Sequence, residues 1–184
     1  CKGKKYIMRI PGEGTDKLIN RQHEADVYRT LKGKNICDDI KYINPQNGYK
    51  ITEFLEEARV CDPMNFKDVR KCIKWLRKFH EMKLKVNHEF DIFSQIEFYE
   101  ALWGKTPSIY KDYEKTKANV LSLRPYIYAH AEEKVLSHID SVPDNFLFVE
   151  KGDKEEIRLI DWEYAGMQDP HVDVAMFCIY SLYN

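Results

Sequence analysis

The octet HIDSVPDN, residues 138–145, and the triplet DWE at 161–163 set three oxygen-bearing side chains at a spacing suited to phosphoryl transfer. Asp140 is placed to orient or deprotonate an acceptor hydroxyl, and Asn145, five residues on, offers a hard oxygen to a metal ion bound to a nucleotide. FLFVE reads as a strand, KGDKEE as a polar turn and IRLI as a second strand, so Asp161 emerges at the end of a hairpin beside the loop. That is where a second metal-binding oxygen belongs, and Mg²⁺ is commonly held by only one or two carboxylates plus substrate phosphates. Taken alone, Asp140 reads equally well as the cap of a turn. The combination with Asn145 and Asp161 favours phosphoryl transfer.

The pattern His-x-Asp-x-x-x-x-Asn is that of kinase catalytic loops. Four segments extend the likeness: YIMRIPGEGTDKLINRQHE at 6–24, ITEFLEEARVCDP at 51–63, SHIDSVPDNFL at 137–147 and LIDWEYAGMQDPHVDVA at 159–175. In this order they resemble the bacterial choline kinases, within the kinase-like group that includes the aminoglycoside phosphotransferases. DWEYAG and RIPGEGT favour the choline and ethanolamine branch. The resemblance implies an α+β fold of two lobes, with a partial amino-terminal lobe over residues 1–56 and a partial, mainly helical carboxyl-terminal lobe over 57–184. It also implies phosphorylation of the choline hydroxyl, with ATP as co-substrate and Mg²⁺ as cofactor.

Residue by residue, the resemblance places Arg9 where a protein kinase uses a Lys to touch nucleotide phosphates. Arg keeps the charge and changes the geometry. Glu24 becomes the helix carboxylate that holds Arg9. Glu53 and Leu55 fall where backbone groups of a hinge would pair with adenine. His138 is expected to brace the catalytic loop, and Asp173 to bond back to it or to cap its own helix. Ile139 stands where many protein kinases carry an Arg that answers an activation-loop phosphate, and only eleven residues separate Asp161 from Asp173. Switching by loop phosphorylation is therefore not expected. A quaternary ammonium donates no hydrogen bond and needs aromatic faces. Tyr164 matches a family position that touches choline, Tyr180 stands where some choline kinases carry an acid, and Trp162 and Tyr183 are weaker candidates. His80 reads as a packed helix residue, and His23, His88, His130 and His171 show no metal-ligand spacing.

Composition agrees. The chain has 184 residues, 43% of them hydrophobic, and a formal net charge of −1, which indicates neither a nucleic-acid footprint nor disorder. Cysteines at 1, 37, 61, 72 and 178 form no CxxC pair, which argues against a zinc site or a secreted disulfide framework and for a reducing cytoplasm. VAMFCIYSLY is too short to span a bilayer, and CKGKKYIMRI lacks the apolar region of a signal peptide. Cys1 could suggest lipidation, with truncation the simpler reading. Relative to a kinase lobe, the chain starts at the strand expected third, without the phosphate-covering loop, and ends where further acceptor-site helices are expected. It therefore reads as the middle of a larger enzyme.

Those side chains need elements to carry them. KKYIMRI alternates as a strand, PGEGT turns, and a helix is expected from about Asp16, with Ile19, His23, Val27 and Leu31 at helical spacing and Arg21 and Glu24 on or beside the sheet-facing side. INPQNG at 43–48 makes a hairpin turn between IKY and YKITEFL. Residues 64–82 read as an amphipathic helix with a stripe of Phe66, Val69, Ile73, Leu76 and His80, and 91–135 as helices broken around WGKTPS. Among enzymes, an ethanolamine or aminoglycoside kinase remains open. From another class, so does an inactive fragment that binds only nucleotide or a partner.

Overall fold

A computed structural model describes residues 3–104, 106–152 and 154–182. A strand β1 (Tyr6–Arg9) leads through a single 3₁₀ turn (Thr15–Lys17) to helix α1 (Arg21–Leu31). Strands β2 (Ile40–Ile43) and β3 (Lys50–Glu53) follow, and β3 sits between β1 and β2 in an antiparallel sheet. The expected hairpin is present. Asn44 accepts the Gly48 N–H at 2.8 Å and donates its own to Tyr49 at 2.9 Å, and Arg9 lies opposite Lys50.

The first helix starts later than its periodicity suggests. Asn20 is the stronger start signal, because its side chain accepts the N–H groups of Gln22 and His23, both at 3.1 Å. Ile19 is still buried, from outside the helix, and Val27 and Leu31 enter the core as expected.

Beyond the short strand β4 (Arg59–Val60) comes helix α2 (Phe66–Glu81). Its buried face is Asp68, Cys72, Leu76 and Phe79, while Phe66 is 71% exposed. Of the expected stripe, Leu76 is in the core and Val69 and Ile73 pack against it, while Phe66 falls outside; the buried face extends to Asp68, an acidic residue that no apolar register selects. Arg59 makes that burial possible, gripping Asp68 through its two terminal guanidinium nitrogens at 2.5 and 3.0 Å. Leu76 is 1% exposed within the main core. Its replacement by Ala is expected to destabilise the protein by about 2–5 kcal/mol in urea unfolding.

Helices α3 (Ile92–Trp103), α4 (Tyr113–Ser122) and α5 (Arg124–His130) occupy the next stretch, interrupted after Trp103 at Gly104. Strand β5 (Val135–Ser137) leads into the HIDSVPDN loop. Strands β6 (Phe146–Lys151) and β7 (Lys154–Leu159) form the expected hairpin, paired as far as Lys151 with Lys154. The expected polar turn was too long. Glu155 is part of the strand because Arg59, at 2.9 Å, and Lys71 neutralise it there.

A last strand, β8 (Gly166–Gln168), pairs with β5, and helix α6 (His171–Tyr180) closes the described chain. Gly166 is needed where it stands: a Cβ there would meet the Phe90 amide nitrogen at 3.2 Å and the Glu89 carbonyl carbon at 3.3 Å. The result is an α+β arrangement whose core joins Val27, Tyr28 and Leu31 of α1 to Leu76 and Phe79 of α2 and to Phe146, Phe148, Trp162 and Phe177. Among the described residues, no helix is long and apolar enough to cross a membrane.

Candidate active site

The loop after β5 is fixed from below by one carboxylate. Asp173, fully buried in the first turn of α6, accepts the backbone N–H of Ile139 at 2.7 Å and of His138 at 3.0 Å, and His80 Nε2 at 2.8 Å. It does not cap its helix, because α6 already begins at His171. Its backbone carbonyl accepts the Ser141 hydroxyl at 2.6 Å. These bonds hold Ile139 at φ 73°, a conformation that β-branched residues rarely adopt. The side chain of Ile139 is buried.

His138 is also fully buried. Its Nε2 donates to the Ile160 carbonyl at 2.8 Å and its ring meets Trp162 edge-on at 4.5 Å between centroids. Burial holds its imidazole below the ordinary pKa, outweighing the nearby Asp173. A neutral ring that links the loop to the segment carrying Asp161 is a brace.

Asp140 and Asn145 face each other across the loop. Asn145 Nδ2 donates to the Asp140 carbonyl at 2.8 Å and to its carboxylate Oδ2 at 3.2 Å, which leaves the amide oxygen of Asn145 for another partner. Ile160 N–H donates to the Asn145 carbonyl at 3.0 Å, bringing Asp161 alongside. Asp161 has φ 66°, and its side chain is 47% exposed. One carboxylate and one amide oxygen on adjacent backbone, open to solvent, match the donor set of a Mg²⁺ site that takes its remaining ligands from phosphates and water.

Arg9 closes the site from the sheet. Its guanidinium holds Glu24 at 2.6 Å through each of its terminal nitrogens, and also reaches Glu163 at 3.2 Å and the Gly48 carbonyl at 3.1 Å. Gly48 has φ 69°, and a Cβ there would lie 2.6 Å from Pro11 Cγ. Burial would push the Glu24 carboxyl up, but the bonds from Arg9 and the charge of Lys50 outweigh it and hold the group below the usual carboxylate range. Arg9 Nε is buried and makes no hydrogen bond among the described residues.

The remaining expected residues are scattered. Glu53 ends β3, its carboxylate between Lys4 at 3.2 Å and Lys41 at 2.9 Å, and its N–H goes to the Asp39 carbonyl at 3.0 Å. Leu55 follows, half-buried, beside Glu53. Tyr164 lines a cleft of about 560 Å³ with Phe90, Phe98, Gln95 and Glu163. Tyr180, 61% exposed, lies instead in a smaller depression with Asp140, Val142 and Pro143. The two tyrosines therefore do not share a pocket. Trp162 is fully buried, donating to the Leu159 carbonyl at 2.7 Å, and belongs to the core. Tyr183 lies outside the described residues.

Sequence reasoning missed two members of this cluster. Glu163 joins Arg9 to Arg21, at 3.2 and 3.0 Å. Lys50, 7% exposed, places its ammonium 3.2 Å from Glu24 and 3.9 Å from Asp161. A signal for Lys50 was available: in KITE the polar Lys50 and Thr52 alternate with Ile51, and it is the polar pair that is buried.

A small antiparallel sheet and one helix above a mainly helical body, with a braced Asp–Asn loop and a carboxylate hairpin between them, define a kinase-like phosphotransferase fold. A family model for choline/ethanolamine kinase matches residues 1–184, and the chain belongs to that family. The chain is similar to the choline kinase LicA from Streptococcus pneumoniae, with 32% identity, a TM-score of 0.88 and coverage of 99% of this chain and 64% of that one. A structure of LicA in complex with AMP aligns at a TM-score of 0.86 and 32% identity over 98% of this chain and 62% of the other. The curated protein LicA of Haemophilus influenzae (strain Rd) is 25% identical over 183 residues, covering 94% of this chain and 65% of LicA. The chain thus spans somewhat less than two thirds of the length of these relatives.

Proposed function

We propose that this chain carries the catalytic centre of an ATP-dependent choline kinase. The observation that supports it most is the clasp of Asn145 on Asp140, with Asp161 drawn alongside by the Ile160–Asn145 backbone bond. On this reading residues 1–56 hold the nucleotide, and residues 57–184 supply the loop and the metal ligands. Asp140 accepts the proton of the choline hydroxyl as its oxygen bonds to the γ-phosphorus, and the bond to the β-phosphate oxygen breaks to release ADP. Asn145 and Asp161 would hold Mg²⁺, which would supply positive charge to the nucleotide phosphates. Arg9, fixed by Glu24, brings its guanidinium charge to the phosphates. Backbone groups of Glu53 and Leu55 meet adenine. The AMP complex of a relative at 32% identity supports a nucleotide in this cleft. Free thiols at Cys37, Cys61, Cys72 and Cys178 fit a cytoplasmic setting.

Choline is favoured over ethanolamine by the similarity to choline kinases and by aromatic side chains, Tyr180 in the depression with Asp140 and Tyr164 against Phe90 in the separate cleft. Cation–π contacts contribute about 0.5–2 kcal/mol each and suit a cation that cannot donate hydrogen bonds. Steady-state kinetics on protein expressed from the complete reading frame is expected to give a higher kcat/KM for choline. Equal values for ethanolamine, or a preference for an aminoglycoside, would overturn the choline assignment and leave the kinase assignment standing.

A further inference from the structure

The mechanism above leaves a buried cation without a task. The Lys50 side chain, 8% exposed, reaches inward from β3 to a position between three elements. Its Nζ lies 3.0 Å from the Tyr28 hydroxyl and 3.2 Å from Glu24 Oε1, both on α1, and 3.9 Å from Asp161 Oδ1 beyond β7. A buried ammonium is tolerated only when it is paired. Glu24 has other cations besides it, since Arg9 binds both Glu24 oxygens at 2.6 Å and Arg21 adds a contact at 3.3 Å. What Lys50 alone contributes is reach from the α1 cluster to the Asp161 carboxylate.

We propose that Lys50 is the resident counter-ion of Asp161, occupying that carboxylate until a divalent cation arrives with the nucleotide and displaces it. The proposal rests on the reading of Asp161 as the metal carboxylate. A bare divalent ion approaching Asp161 meets a like charge held 3.9 Å from that carboxylate, a separation shorter than the screening length of physiological salt. A metal–nucleotide complex meets the same ammonium with phosphate oxygens that attract it. Lys50 thereby discourages metal from loading ahead of the nucleotide. It also offsets the charge of Asp161 and Glu24, which both face it.

The test uses Mn²⁺ as a spectroscopic stand-in for Mg²⁺, titrated without nucleotide and followed by electron paramagnetic resonance, on protein from the complete reading frame. Lys50→Met is expected to tighten Mn²⁺ binding about tenfold, and Lys50→Arg, which keeps the charge, to leave it at the wild-type value. Circular dichroism melting checks that each variant is folded. If Lys50→Met is not, Lys50→Gln, neutral yet polar, carries the same expectation. A purely structural role would move the melting temperature without tightening the metal. Unchanged or weakened Mn²⁺ binding in the folded neutral variant overturns the proposal. An Asp161→Asn control separates the two claims: it should lose the Mn²⁺ site in both backgrounds, and retention of the site there would overturn the assignment of Asp161 as well.

Discussion

Replacing Asp140 by Asn is expected to lower turnover by about 10² to 10⁴ while nucleotide affinity stays near wild type. The substitution keeps the shape of the side chain and removes its ability to accept a proton. Asn145 can still donate to the Asp140 main-chain carbonyl, the shorter of its two bonds at 2.8 Å, so the loop should keep its form. His138, Asp173 and His80 brace that loop from the other side and are untouched by the change. Single-turnover kinetics with saturating ATP isolates the chemical step. Wild-type turnover in Asp140→Asn would remove the residue from the mechanism.

Asp161→Ala is expected to fail earlier in the reaction. On the proposed reading it removes the carboxylate of the metal site and leaves only the Asn145 amide oxygen, too weak a donor set to fix a metal–nucleotide complex. The Mg²⁺-dependent part of nucleotide binding should vanish in calorimetric titrations with a non-hydrolysable ATP analogue. The fold should tolerate the change at a modest cost for Ala at φ 66°, because the Asp161 side chain is 47% exposed and the Ile160–Asn145 backbone bond does not involve it. Binding with an undiminished Mg²⁺ effect would contradict the role given to Asp161. The contrast between the variants, chemistry lost in one and metal-dependent binding in the other, assigns the two carboxylates to different steps.

Much of this arrangement was legible in the sequence because short-range patterns create it. The 44–49 hairpin, the β6–β7 pair and the bulk of α2 follow from turn chemistry and periodicity. What escaped was set by partners distant in the chain. The buried face of α2 includes Asp68, which no hydrophobicity pattern selects, and Arg59 supplies the reason. The β5–β8 pair joins residues some thirty positions apart through strands of three residues each, too short to show alternation. The start of α1 was displaced by Asn20, whose capping role competes with the apolar spacing that begins at Ile19. The Asp140, Asn145 and Asp161 triad lies within 22 residues and could be read directly. Lys50 and Glu163 join the cluster only through folding, Glu163 touching Arg9 from 154 positions away. Tyr164 and Tyr180 were grouped by a shared chemistry, and the chain places them in separate depressions.

The central claim is transfer of a phosphoryl group from ATP to the choline hydroxyl, and ³¹P nuclear magnetic resonance tests it most directly. Protein from the complete reading frame, incubated with ATP, Mg²⁺ and choline, is expected to yield a phosphomonoester identical to authentic phosphocholine in step with ADP, at about 1–100 s⁻¹, the ordinary range for kinases. The product should be absent without choline. ADP formed at the same rate with or without choline, accompanied only by inorganic phosphate, would contradict the account.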